Sequence, residues 1–82
     1  MRAYFMNGET QELSWVDAVA LKRDFIFIDF DPYRDLSRCT HTKRKRAYLV
    51  EKWVSAGGIR VNYSAHTTEL NAVKTITKFL KG

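Results

Sequence analysis

Apolar and polar positions alternate with two different periods along the chain, and they divide it into seven short segments. Arg2 to Met6 (RAYFM) is aromatic and strand-like. Asn7-Gly8 follows as a hairpin signal, because both residues tolerate positive φ, and a return strand is expected over about Thr10 to Leu13. Ser14 offers an N-cap with Asp17 three residues on, and Val16, Val19 and Ala20 recur at helical spacing, so a first helix starts there. Phe25 to Phe30 (FIFIDF) is apolar on both faces, as expected of a strand at mid-sheet with material packed on either side.

Beyond Asp31-Pro32, which reads as a helix cap followed by a first helical residue, Thr40-His41-Thr42 makes a poor helix interior and predicts a break. From about Thr42 a second helix is expected to run to Ala56, with Leu49, Val50, Trp53 and Val54 as its apolar side and Gly57-Gly58 as its stop. Ile59 to Ser64 (IRVNYS) has a period of two, with Ile59, Val61 and Tyr63 on one face, and predicts a half-exposed strand. A last helix is expected from Thr67 or Thr68, carrying Leu70, Val73, Ile76 and Leu80 inward and Lys74, Lys78 and Lys81 outward. The predicted order is β-β-α-β-α-β-α, an α/β (α+β) fold with a mixed three- to four-stranded sheet packed by helices.

At 82 residues the chain has the length of one domain, expected to span 1–82, with a single core. One cysteine, Cys39, excludes an internal disulfide, so stability has to come from packing. With 45% of residues hydrophobic and 13% aromatic there is enough apolar material to exclude an intrinsically disordered chain. No run approaches the ~18 apolar residues of a membrane span, and MRAYFMNGET lacks the apolar stretch of a secretory leader, so a cytoplasmic location is expected.

The net charge of +5 conceals a polarised distribution. Residues 1–33 carry three cations against six acids, net −3. Residues 34–60 carry eight cations against Asp35 and Glu51, net +6, and residues 61–82 carry three cations against Glu69, net +2. A chain charged in this way attracts a polyanion to one part of its surface.

The run Lys43-Arg44-Lys45-Arg46 is the sharpest local feature. In the first turn of the expected helix, four cations oppose a macrodipole that prefers anions there by ~0.3–1 kcal/mol per charge, so helix stability does not account for them. A helix start with free N–H groups, the hydroxyls of Thr40 and Thr42 and several cations suits phosphate groups. Arg38, His41, Lys52 and Arg60 would widen that surface, and Tyr48 or Tyr63 would add a stacking platform for a single strand. The competing reading is a solvated, solubilising turn; a nuclear-localisation reading fits any such tetrad and has no further support. The Lys74, Lys78 and Lys81 stripe sits near a helix C-terminus, where cations favour the dipole and need no partner.

Cys39, His41, His66 and Asp29-x-Asp31 lack the paired spacing of a zinc site, so no metal and no cofactor are expected. Asp29 and Asp31 fall on one side of a strand end, the minimum for a magnesium nuclease. The simpler assignment pairs Asp29 with a nearby cation and makes Asp31 a cap. No catalytic triad spacing, phosphate-binding loop or dinucleotide fingerprint occurs, and no catalytic residue is assigned. Most of the set Trp15, Tyr33, Trp53 and Tyr63 is expected in the core, and its exposed members would form a protein-binding patch.

The leading expectation is a non-enzymatic module that contacts DNA or RNA backbone through Lys43 to Arg46, helped by Arg38, Lys52 and Arg60. The hairpin-then-helix opening and the small size resemble accessory proteins of bacteriophages and other mobile elements. That resemblance implies the alternative: an interaction protein that inhibits or modulates a host protein by docking the same cations on an acidic surface.

Overall fold

Residues 1–32 and 46–82 are described by a computed structural model of the chain. Their elements run β1 (Arg2–Tyr4), β2 (Thr10–Glu12), α1 (Trp15–Ala20), β3 (Phe25–Phe30), β4 (Tyr48–Val54), β5 (Ile59–His66) and α2 (Glu69–Lys81). The five strands form one antiparallel sheet in the order β2-β1-β3-β4-β5. The architecture is therefore α+β, with an all-antiparallel sheet in place of the expected mixed one and five strands in place of three or four.

The hairpin at Asn7-Gly8 forms as its chemistry predicts: Gly8 takes φ +88° and Asn7 Oδ1 accepts from Glu9 N at 3.0 Å. Ser14 caps α1, accepting from Asp17 N at 3.2 Å and donating to Asp17 Oδ2 at 2.9 Å. β3 occupies the centre of the sheet, and both of its faces are used. Phe25 and Phe27 join Ala3, Phe5, Leu13 and Ala18 of α1 in one core, against which Trp53 packs. On the opposite face Ile26 packs with Val50 and with Ala72 and Ile76 of α2, flanked by Tyr4, Ile28 and Tyr48. One helix thus covers each face, and full burial of each Phe, Leu, Ile or Val side chain in these cores contributes roughly 1.5–3 kcal/mol.

The second expected helix is overturned. Of its span, residues 42–45 lie outside the described residues, and Tyr48–Val54 is strand β4, paired antiparallel with β3 from Phe25↔Trp53 to Phe30↔Tyr48. Leu49, Val50, Trp53 and Val54 meet helical spacing, but they equally suit a strand whose two faces are both covered, and Tyr, Val and Trp favour the pleated surface. Gly57-Gly58 does not stop a helix. It closes the Ser55–Gly58 turn into β5, with Gly58 at φ +60° and its N–H donating to Ser55 O at 3.3 Å. The element order of the described residues is accordingly β-β-α-β-β-β-α.

β5 extends two residues beyond the predicted end, to His66, with a bulge where the register to β4 slips between Val50 and Glu51. Thr68 caps α2, accepting from Asn71 N at 3.3 Å. Ala72 and Ile76 are buried beneath that helix, whereas Leu70, expected inward, is 65% exposed. About 120° of helix rotation separates Leu70 from Ile76, which places it beyond the face that meets the sheet.

Candidate nucleic-acid interface

Phe30↔Tyr48 is the last pair of the β3–β4 ladder, and Asp31 N donates to Ala47 O at 2.9 Å just beyond it. The chain between these two residues therefore leaves and re-enters the sheet at one end. By sequence that span carries Arg34, Arg38, Lys43, Arg44, Lys45 and Arg46 against Asp35 alone. Of the cations predicted to bind, Arg38, Lys43, Arg44 and Lys45 lie outside the described residues, as do Tyr33, Cys39 and His41. Arg46 is exposed at the start of the returning chain and makes no ion pair among the described residues.

At the same end of the sheet the rings of Phe30 and Tyr48 stand 4.8 Å apart, tilted by 40°. Phe30 is 55% exposed, an unusual placement for a large aromatic at the end of a central strand. Beside this pair a groove of about 650 Å³ runs between the β1–β3 part of the sheet and α2, because α2 covers β3 to β5 and leaves the neighbouring strands open. Tyr4, Ile28 and Val73 continue its apolar floor, and Arg2, Glu12 and Glu69 supply charge at its edge. Arg2 and Glu12 form an exposed ion pair at 3.6 Å across β1 and β2.

The remaining predicted cations sit elsewhere. Lys52 is opposite Ile26, on the face covered by α2, with its Nζ 4.0 Å from Asp24 Oδ2. Arg60 lies on the other face, where its Nη2 donates to Asp29 Oδ2 at 2.5 Å and to Glu51 Oε2 at 2.6 Å. Its guanidinium is also 5.3 Å from the ring centres of Trp15 and Phe27. Burial drives the Glu51 carboxyl above the usual carboxylate range, with Arg60 opposing that rise and Asp29 adding to it. The hydrogen bond that Arg60 donates to Glu51 is the main cause that raises Arg60 in turn. Both cations are engaged within the protein, and the sheet separates them.

Asp29, read from sequence as one half of a carboxylate pair, has the cation partner of the simpler assignment: Arg60. His66 shares a 2.7 Å hydrogen bond between Nε2 and Ser64 Oγ. No group of three or more His, Cys, Asp or Glu gathers to hold a metal ion among the described residues. Trp15 packs at 5.1 Å on Phe27 and at 5.7 Å on Trp53, and Tyr63 stands 4.9 Å from Phe79.

Sequence reasoning missed Phe30 and Arg2 at this end of the sheet. Phe30 belongs to a uniform run of β-formers, and nothing local distinguishes the residue that emerges from those that are buried. Among the described residues no helix is long and apolar enough to cross a membrane. No known protein family, curated protein or solved structure matches the chain.

Proposed function

We propose that this protein is a non-enzymatic module that binds nucleic-acid backbone at the β3–β4 end of its sheet, acting in the cytoplasm. The observation that carries the reading is the coincidence of two features at one place. The most cationic span of the sequence joins the two strand ends that carry the aromatic pair of exposed Phe30 and half-buried Tyr48. Cations hold phosphates irrespective of sequence, and an exposed ring beside them stacks an unpaired base, a combination suited to single strands. Arg38 and Lys43 to Arg46 carry the phosphate contacts in this reading, with Phe30 and Tyr48 as the platform. Lys52 and Arg60 serve the fold.

The test is binding to generic single- and double-stranded DNA and RNA as a function of salt. The comparison set is the wild type, a Lys43/Arg44/Lys45/Arg46→Ala variant and Phe30→Ala. Tight, salt-sensitive binding is expected, lost in the fourfold variant, with the salt slope reduced by about one for each contacting cation removed. Phe30→Ala is expected to weaken single-strand binding about tenfold, the effect of roughly 1–3 kcal/mol of stacking, and to leave double-strand binding unchanged. Absence of binding to every nucleic acid at low salt sinks the reading and directs the search to an acidic protein surface.

A further inference from the structure

The two edges of the sheet differ. β2 is three residues long and polar, with Glu12 paired to Arg2, so it offers an incoming strand little to extend. β5 is eight residues long, and no strand pairs with its outer side among the described residues. Natural proteins blunt such an edge with lysines, prolines, inward charges or bulges, and the one bulge of β5 lies at Tyr63, toward its C-terminal half. From Ile59 to His66 there is no lysine and no proline, and the one permanent charge, Arg60, is already held by Asp29 and Glu51 of its own chain. On the face covered by α2, Ile59, Val61 and Tyr63 run along this edge, and Phe79 packs against Tyr63. All four are between 39% and 56% exposed. Lys74, Lys78 and Lys81 lie on the outer side of α2, roughly 160° to 220° of helix rotation from Ile76, whereas Thr75 and Phe79 border the edge.

We infer that β5 pairs with β5 of a second copy of this chain, antiparallel about a two-fold axis at Val61. The unpaired backbone groups specify a strand as the occupant, and the side chains specify this strand. A register centred on Val61 sets Ile59 opposite Tyr63 of the second copy, Arg60 opposite Asn62, and Val61 opposite itself. Residues that face one another across antiparallel strands share a sheet face. The register therefore brings apolar side chains together on the α2 face and sets each guanidinium beside an amide, never beside another cation. The bulge residue Tyr63 closes the paired stretch at each end, where it faces Ile59 of the second copy. The contact is the same patch on both copies and closes at two, giving a ten-stranded sheet with both α2 helices on one face.

The experiment is mass measurement by light scattering or sedimentation at about 100 μM, where an interface of even micromolar strength is mostly occupied. The wild type is expected at twice the monomer mass, more completely at higher salt, since the positive charge of each copy opposes association. Val61→Lys is expected to return the monomer mass with its circular dichroism unchanged. Mixing Val61→Lys with Val61→Glu is expected to restore the doubled mass, because only a two-fold axis at this residue sets the two side chains against each other. A wild type that stays monomeric, a dimer that survives Val61→Lys, or a mixture that stays monomeric overturns the inference.

Discussion

The Arg60 guanidinium and the Glu51 carboxylate meet at 2.6 Å across neighbouring strands, and Glu51 is only 8% exposed. A carboxylate raised by burial adds stability that is complete below its unfolded pKa and fades as pH climbs through its folded value. Arg60 limits that fading by favouring the ionised form. Arg60→Ala is expected to destabilise the fold at neutral pH by about 2 kcal/mol, less than the roughly 3–5 kcal/mol of a fully buried pair because Arg60 is half exposed. The deficit is expected to shrink as pH falls toward the carboxylate range and Glu51 protonates. Urea melts of both proteins across that range check the trend; a deficit that grows on acidification refutes it.

Ile76 and Leu70 offer a paired test of which side of α2 meets the sheet. Ile76→Ala removes a side chain 1% exposed and is expected to cost about 2–4 kcal/mol. Leu70→Ala, at a position 65% exposed, is expected to fall within about 0.5 kcal/mol of the wild type. Chemical denaturation of the two variants separates these outcomes.

Gly58 closes the β4–β5 turn at φ +60°, and a methyl group there would meet nothing nearer than Trp53 Cη2 at 3.8 Å. Space is available and the backbone conformation is not, so Gly58→Ala is expected to lower stability by about 1 kcal/mol. Strand content by circular dichroism is expected to stay the same.

Lys22 takes φ 51° directly after α1, a left-handed conformation held without glycine. Lys22→Gly is expected to raise stability by about 0.5 kcal/mol, the relief of a Cβ clash partly offset by the freer unfolded chain. An unchanged or lower thermal midpoint counts against strain at this position.

Much of the fold is legible where the determinant is local. The Asn7-Gly8 hairpin, the Ser14 and Thr68 caps and the two-faced Phe25 to Phe30 strand each state their structure in adjacent residues. β4 is not legible in this way. Its apolar residues on both faces satisfy helical spacing as well as strand packing, and the choice is made by β3, which needs a partner along its whole length. The ion pair of Arg60 with Asp29 spans 31 residues, so a cation read as a free ligand-binding charge is held by a carboxylate that sequence proximity does not reveal. Phe30 stays hidden for the related reason that its exposure depends on how far α2 reaches over the sheet.

The hydrogen bond from Asp31 N to Ala47 O pins both ends of the span 32–46 to a finished strand ladder. Lengthening a flexible connection between two fixed ends costs only about 0.6 kcal/mol for each doubling. Residues inserted between 32 and 46 are therefore expected to leave the pairing of β3 with β4 intact.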